Sequence, residues 1–411
     1  MKNLTLLLQD FYKNRSFLVV ALFSCLFFYL AFFFNTSVLS EHQFTELARS
    51  FLHGQLFFLK QPMSGKVWLD AALFNGHYYW PLGPLPAVIL IPFVLLRFSV
   101  TQGYLNLLLV SAVFYLIFKI AQKIGYTKTE STYWSFAFCF ASVFLGVVLV
   151  PWSWYLAQTV TVFLLFLSLY EYLNKNRPLV IGVIFGFILL TRANVTLGVL
   201  FFILDIVFSS ETMRRKIKKM CLLLNPVVVA LVIGLFYNYL RFGNFFETGY
   251  ESSQLLIEPL SRARDLGLFG LVHVPGNLYY FLLSTPLPVF RDSVSHILKF
   301  PYLTANAWGM SIFLTSPYFI YLFFLKYRDL FSKMLIVTIV LIATTVLAYY
   351  GIGFRQFGYR YSLDFLPFLF VLLMQNYFNA HKNISTGFKA LVIVTAIVNL
   401  VWFSQIFSFL A

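Results

Sequence analysis

The chain has 411 residues, of which 60% are hydrophobic and 11% charged, and its mean hydropathy is +0.81. Soluble domains carry about 25% charged residues, so this composition excludes an ordinary soluble enzyme and predicts an all-α polytopic membrane protein forming a single membrane domain over 1–411. A net charge of +15 would point to nucleic acid in a soluble protein, but here the basic residues fall in short loops between apolar runs. The positive-inside rule accounts for them there, and nucleic-acid binding is excluded.

In chain order the apolar runs are 17–37, 84–98, 103–121, 132–150, 155–173, 179–191, 193–208, 220–240, 308–325, 334–351, 361–379 and 388–408. A crossing helix needs about 20 apolar residues. The first run meets that length and has no small-residue cleavage site beside it, so it reads as a retained span. Run 84–98 is short and holds Pro84, Pro86 and Pro92. If it lies in the outer leaflet, most of the 30 Lys and Arg residues, including the cluster MRRKIKKM at 213–220, fall on the cytoplasmic side. If it crosses, every later cluster is inverted, which the rule disfavours. The expectation is therefore about eleven transmembrane helices, N-terminus inside, with extracytoplasmic loops at 38–83 and 241–307. A core module would cover 1–240, and C-terminal helices 308–411. Cys25, Cys139 and Cys221 lie inside apolar runs and read as packing residues.

The first loop concentrates ionisable and aromatic groups. Ser40 and Gln43 have capping-box spacing, which predicts a helix starting at Glu41. His42, Glu46, Arg49 and His53 fall on one face of it and Phe44, Leu47 and Phe51 on the other, so it should lie in the membrane interface, and Gly54 ends it. Asp70, His77, Tyr78, Tyr79 and Trp80 follow, then a proline-rich stretch. Glu41 at the helix start reads as a candidate general base, with Glu46 and Asp70 as competitors; a first-turn acid that only stabilises its helix is the plainer reading.

Segment 178–208 connects two cytoplasmic ends, so it must break near Thr191-Arg192 into two short helices. Thirteen residues rise only about 20 Å against a hydrocarbon core of about 30 Å, which leaves Arg192 below the outer surface. An arginine at that depth needs a partner and marks a functional site by default. Arg355 and Arg360 sit in GIGFRQFGYRYSLDFLP, close to Tyr361. Together they could clamp a phosphate, although Arg360 and Asp364 also have the spacing of a plain helix ion pair. The irregular spacing of His42, His53 and His77 speaks against a metal site. The outer face thus gathers a carboxylate, scattered arginines and aromatics, which suits a reaction between a lipid-linked phosphate and a polar acceptor.

Several stretches carry a family resemblance: Ser40-Glu41-His42, Leu52-His53-Gly54, Gly76-His77-Tyr78-Tyr79-Trp80-Pro81 and Pro84-Leu85-Pro86. Further on come Leu190-Thr191-Arg192, the segment from Tyr237-Asn238 to Gly249-Tyr250, and Arg360-Tyr361-Ser362-Leu363-Asp364-Phe365-Leu366-Pro367. Over the whole chain these resemble the GT-C class of polytopic glycosyltransferases, which includes protein mannosyltransferases and the aminoarabinose transferase type. The resemblance implies transfer of a sugar from a polyprenyl-phosphate donor to an envelope glycan, lipid or protein acceptor, in a bacterial cytoplasmic membrane with the site outside. It implies Glu41 as the first-loop acid and Arg192, Arg355 and Arg360 as donor-phosphate ligands. His42, Asp70, His77, Tyr78, Tyr79, Tyr250 and Tyr361 are then substrate-binding candidates, with no assigned metal site; His42 stands where many relatives carry a second acid, which leaves a divalent cation open. A transporter or flippase of lipid-linked sugars, or an envelope polysaccharide polymerase or ligase, would share the arginines without needing the first-loop carboxylate.

Overall fold

The structure, a computed structural model, describes residues 2–38, 40–60, 68, 70–96, 102–250 and 254–407, with side chains from residue 15 onward. Residues 61–67 of the first loop, the last two positions of run 84–98, and 251–253 of the second loop lie outside the described residues. The first half comprises α1 (Lys2–Ser37), α2 (Gln43–Leu52), β1 (Ala72–Phe74), β2 (His77–Tyr79), α3 (Leu85–Leu95), α4 (Gln102–Ile124), α5 (Lys128–Phe140), α6 (Phe144–Leu149), α7 (Ser153–Asn174), α8 (Pro178–Leu189), α9 (Val199–Phe208) and α10 (Met213–Phe242). The second comprises α11 (Glu258–Asp265), α12 (Val274–Leu278), β3 (Leu287–Phe290), β4 (Leu298–Thr304), β5 (Trp308–Met310), α13 (Ile312–Thr315), α14 (Leu330–Ala348), β6 (Gln356–Gly358), α15 (Leu366–His381) and α16 (Thr386–Ile406).

Among the described residues six helices are long and apolar enough to cross a membrane: Arg15–Ser37 of α1, then α4, α7, α10, α14 and α16. The protein is accordingly a mainly helical membrane protein. The other expected crossings fall on shorter or interrupted elements. Run 132–150 is split between α5 and α6, and run 308–325 becomes a strand, a short helix and a 3-10 turn over Pro317–Phe324. The break in 178–208 lies where expected, between the end of α8 at Leu189 and a 3-10 turn over Ala193–Gly198 that leads into α9. The eleven-residue α3 is too short to span, and it packs against α2.

α7 is the most buried of the six and forms the centre, packed against α4, α8 and α15; α10 is the most exposed, as expected of a helix facing lipid. α8 and α10 meet through Gly182 and Gly186. A Cβ on Gly182 would stand 2.2 Å from the Leu223 carbonyl oxygen, so this close crossing needs a residue without a side chain. Buried amides tie the opening helices together. Asn106 on α4 donates to Asn35 Oδ1 of α1 at 2.9 Å, and Asn35 donates to the Val148 carbonyl at 2.7 Å.

Among the described residues six short strands, paired in twos, accompany the helices, and apolar-run lengths do not reveal them. β1 and β2 form an antiparallel hairpin pairing Ala72 with Tyr79 and Phe74 with His77. Its turn is Asn75-Gly76 with φ of +48° and +77°, and two consecutive positive φ values fit the type I′ turn that two-residue hairpins favour. β3 and β4 form a second antiparallel ribbon in the 241–307 segment. β5 and β6 pair in parallel, Trp308 with Gln356 and Met310 with Gly358, which fixes the strand flanked by Arg355 and Arg360.

Candidate functional site

Glu41 is not the first residue of a capped helix. α2 starts at Gln43 with His42 in the cap position and no side-chain cap of its own, and Glu41 sits at φ +57°. Tertiary contacts outcompete the local box. The Glu41 carbonyl accepts from the Ser153 backbone N–H at 3.0 Å, from Ser153 Oγ at 3.0 Å and from Gln102 Nε2 at 3.3 Å. Ser40 Oγ is drawn to the Trp152 indole N–H at 3.2 Å, and the Phe44 N–H finds its acceptor on Ser153 Oγ, 3.2 Å away. The start of α2 is thus capped from α7 rather than from its own sequence. Further along, Glu46 and Arg49 pair with each other at 2.7 Å. The Glu41 carboxylate accepts from Gln43 Nε2 at 2.6 Å.

Asp70 also lies in the left-handed region, at φ +63°. Its N–H donates to the Leu255 carbonyl at 2.7 Å, and its own carbonyl accepts from Gln254 Nε2 at 3.3 Å, which staples the first loop to the second. Its carboxylate has no hydrogen bond or ion pair among the described residues. Burial pushes the carboxyl up to about 6; the positive charge of Arg360 opposes the rise and the negative charge of Glu41 adds to it. Glu41 and Arg360 are therefore both within electrostatic reach of Asp70.

The arginines arrive by different routes. The break after α8 projects Arg192 toward the start of α15, where Nε and one terminal nitrogen donate to Asp364 at 2.9 and 2.8 Å. Asn194 donates to the same carboxylate at 2.7 Å. Asp364 therefore pairs with Arg192 from a distant part of the chain, not with Arg360 four residues before it. Arg360 is buried, 8% exposed, with its Nε–H lacking an acceptor and no carboxylate at ion-pair distance among the described residues. It lies over the Tyr155 ring at 5.3 Å and the Tyr361 ring at 4.6 Å. Gln158 of α7 flanks it, donating to the Arg360 carbonyl at 3.2 Å. Arg192 also faces the Tyr361 ring, at 5.8 Å. Arg355, at φ +53°, is anchored through its carbonyl, which accepts from the Tyr155 hydroxyl at 2.5 Å.

Glu41, Asp70, Arg360, Tyr361 and Arg192 thus form one continuous cluster, with Tyr155 and Arg355 at its edge. Tyr250 joins it, within electrostatic reach of Arg192, Tyr361 and Asp70. Three of its members, Glu41, Asp70 and Arg355, hold positive φ without being glycine, a conformation that concentrates at functional sites.

The remaining candidates lie elsewhere. Burial lowers the His42 imidazole to about 4, with Val38's carbonyl opposing and Arg49 adding to the fall, so it is neutral near pH 7; it occupies the cap position of α2 without making a side-chain cap. The His77 ring stacks on Phe57 with centroids 4.0 Å apart. Tyr78 is half-buried against the main core, and its carbonyl accepts from the Phe58 N–H at 2.9 Å. Tyr79 packs with Phe242, at 5.2 Å between rings, in a small separate core. That core surrounds Arg241, a buried arginine in the last turn of α10 that sequence reasoning did not single out. Its signal was present: a basic residue that ends an apolar helix, inside the segment from Tyr237 to Tyr250 that carries part of the family resemblance.

Among the described residues no three His, Cys, Asp or Glu side chains gather as a metal ion would need. Compared with models of protein families, with curated proteins and with solved structures, the chain matches none.

Proposed function

We propose that the chain is a membrane glycosyltransferase that moves a sugar from a polyprenyl-phosphate donor to a hydroxyl of an envelope glycan, lipid or protein, at the extracytoplasmic face of a bacterial cytoplasmic membrane. The observation that carries this reading is the juxtaposition of Asp70, raised to about 6 and without a hydrogen-bonding partner among the described residues, with Arg360, whose buried guanidinium has no carboxylate partner there. A base with a pKa near the working pH accepts a proton well without being permanently protonated. Asp70 takes the proton of the acceptor hydroxyl, and that oxygen attacks the anomeric carbon. The bond from that carbon to the phosphate oxygen breaks with inversion, and the negative charge on the departing polyprenyl phosphate is met by Arg360. Glu41, the acid favoured by sequence, takes a second role: its charge adds to the rise that burial imposes on Asp70. Arg192 and Arg360 both face the Tyr361 ring, at 5.8 and 4.6 Å, and Arg192 has one terminal nitrogen beyond its pair with Asp364.

The test is the composition of envelope glycans in a strain lacking the chain, complemented with the natural sequence or with Asp70→Asn. A sugar that disappears on deletion, returns with the natural chain and stays absent with the variant is expected. Unchanged glycans on deletion, or full rescue by the variant, would overturn the reading.

A further inference from the structure

The aromatic motif at the β1–β2 hairpin plays no part in the reaction just described, yet it folds around a charged group. Arg241 is 5% exposed. One terminal nitrogen donates to the Trp80 carbonyl at 2.8 Å and the other to Asn238 Oδ1 at 2.6 Å. Its Nε–H has no acceptor. The guanidinium lies over the Tyr237 ring at 4.1 Å and the Phe242 ring at 4.7 Å, so two aromatic faces hold its plane and leave its edge to donate. The Tyr237 hydroxyl stands beside the guanidinium but closes no hydrogen bond of ordinary geometry with it, and His77 Nδ1 is likewise buried without a partner. No carboxylate stands at ion-pair distance from Arg241 among the described residues. Glu247, the acid whose charge reaches it, is engaged with the Gly249 N–H at 2.5 Å. The helix dipole at the end of α10 offsets part of the burial penalty, but it supplies no acceptor for Nε–H.

We propose that this pocket is a second oxyanion subsite, which holds a phosphate or carboxylate carried by the acceptor. The arrangement supplies what such a ligand recognises: a fixed guanidinium edge, a neighbouring hydroxyl donor, and aromatic walls that exclude water. Tyr250 stands within electrostatic reach of both Arg192 and Arg241, so the two arginine centres flank one side chain. The donor brings one phosphate, assigned to Arg360. An anion at Arg241 therefore belongs to the other substrate, an assignment that rests on the transferase reading.

The test uses the full chain in detergent and inorganic phosphate as probe, followed by phosphorus NMR line broadening and by protection against heat. The natural chain should bind two phosphates, and Arg360→Gln and Arg241→Gln one each. Tyr237→Phe keeps the guanidinium and its aromatic wall and should weaken the second site about tenfold. This variant decides the matter even if Arg241→Gln fails to fold. Two phosphates still bound by Arg241→Gln, or unaltered affinity in Tyr237→Phe, overturns the proposal. Sodium acetate run beside phosphate separates the sources: competition at the Arg241 site indicates a carboxylate-bearing acceptor, and phosphate binding without competition indicates a phosphate-bearing one. A chain that binds two phosphates but transfers no sugar would lose the transferase reading and keep this subsite.

Discussion

Arg192 and Arg360 end in the same cluster with opposite company. Arg192 meets a bidentate carboxylate, 1% exposed at the side chain, reinforced by Asn194. Arg360 meets two aromatic faces and the amide of Gln158, and keeps an N–H without an acceptor. A guanidinium whose fork is already filled holds the architecture in place. One whose fork is open retains its capacity for an anion from outside. Sequence alone ranks them the other way, marking Arg192 as the functional arginine by its depth and offering Arg360 a plain ion pair with Asp364.

The comparison breaks most sharply in stability. Arg192→Ala leaves Asp364 buried and unpaired and should destabilise the fold by about 3–5 kcal/mol, measured by thermal or denaturant unfolding in detergent. A midpoint unchanged from the natural chain would mean the pair is not structural. Arg360→Gln should show the reverse pattern. Its thermal midpoint stays close to the natural value, because no carboxylate is orphaned, while protection by polyprenyl phosphate weakens at least tenfold, by about 1.5–3 kcal/mol. Retained protection would remove Arg360 from the phosphate site.

A pH profile sharpens the contrast on the carboxylate side. The base must be ionised, so kcat/KM should rise with pH through about 6, where burial has set Asp70. Folding raises this pKa above its ordinary 3.8, so the folded state holds the proton more tightly; stability should fall over the same interval in which activity rises. Glu41→Gln removes a neighbouring negative charge and should move the acid limb to lower pH, and a limb that stays put would show that the two carboxylates do not interact. The smallest effect belongs to Ser153→Ala, which removes the acceptor for the Phe44 N–H and one donor to Glu41; a loss of about 1 kcal/mol is expected. If activity falls while stability holds, Ser153 serves the carboxylate's placement more than the helix.

What could be read from the chain beforehand divides along physical lines. Window hydrophobicity located the six long helices, because a bilayer imposes a length on any helix that crosses it. The break at Thr191-Arg192 followed from the same arithmetic. Caps and ion pairs were misread wherever a partner came from far along the chain: Ser153 replaced Ser40 at the start of α2, and Arg192 replaced Arg360 beside Asp364. Spacing rules rank only local partners, and in this fold the distant ones won. The β1–β2 hairpin was legible and was passed over, since Asn75-Gly76 between two short runs of apolar and aromatic residues is a strong turn signal. Arg241 carried the signal of a basic residue ending an apolar helix, but its burial could not be read locally, because the Trp80 carbonyl it donates to comes from far along the chain.

The left-handed backbone at positions 41, 70 and 355 sets thermal robustness against catalysis. Glycine adopts that geometry without the side-chain clash, so replacement there relaxes the main chain while deleting a carboxylate or a guanidinium. A library selected for heat resistance alone should drift to glycine at these three places and emerge sturdier and inert. Counter-selection that demands the proposed sugar transfer should hold Asp70 before the other two.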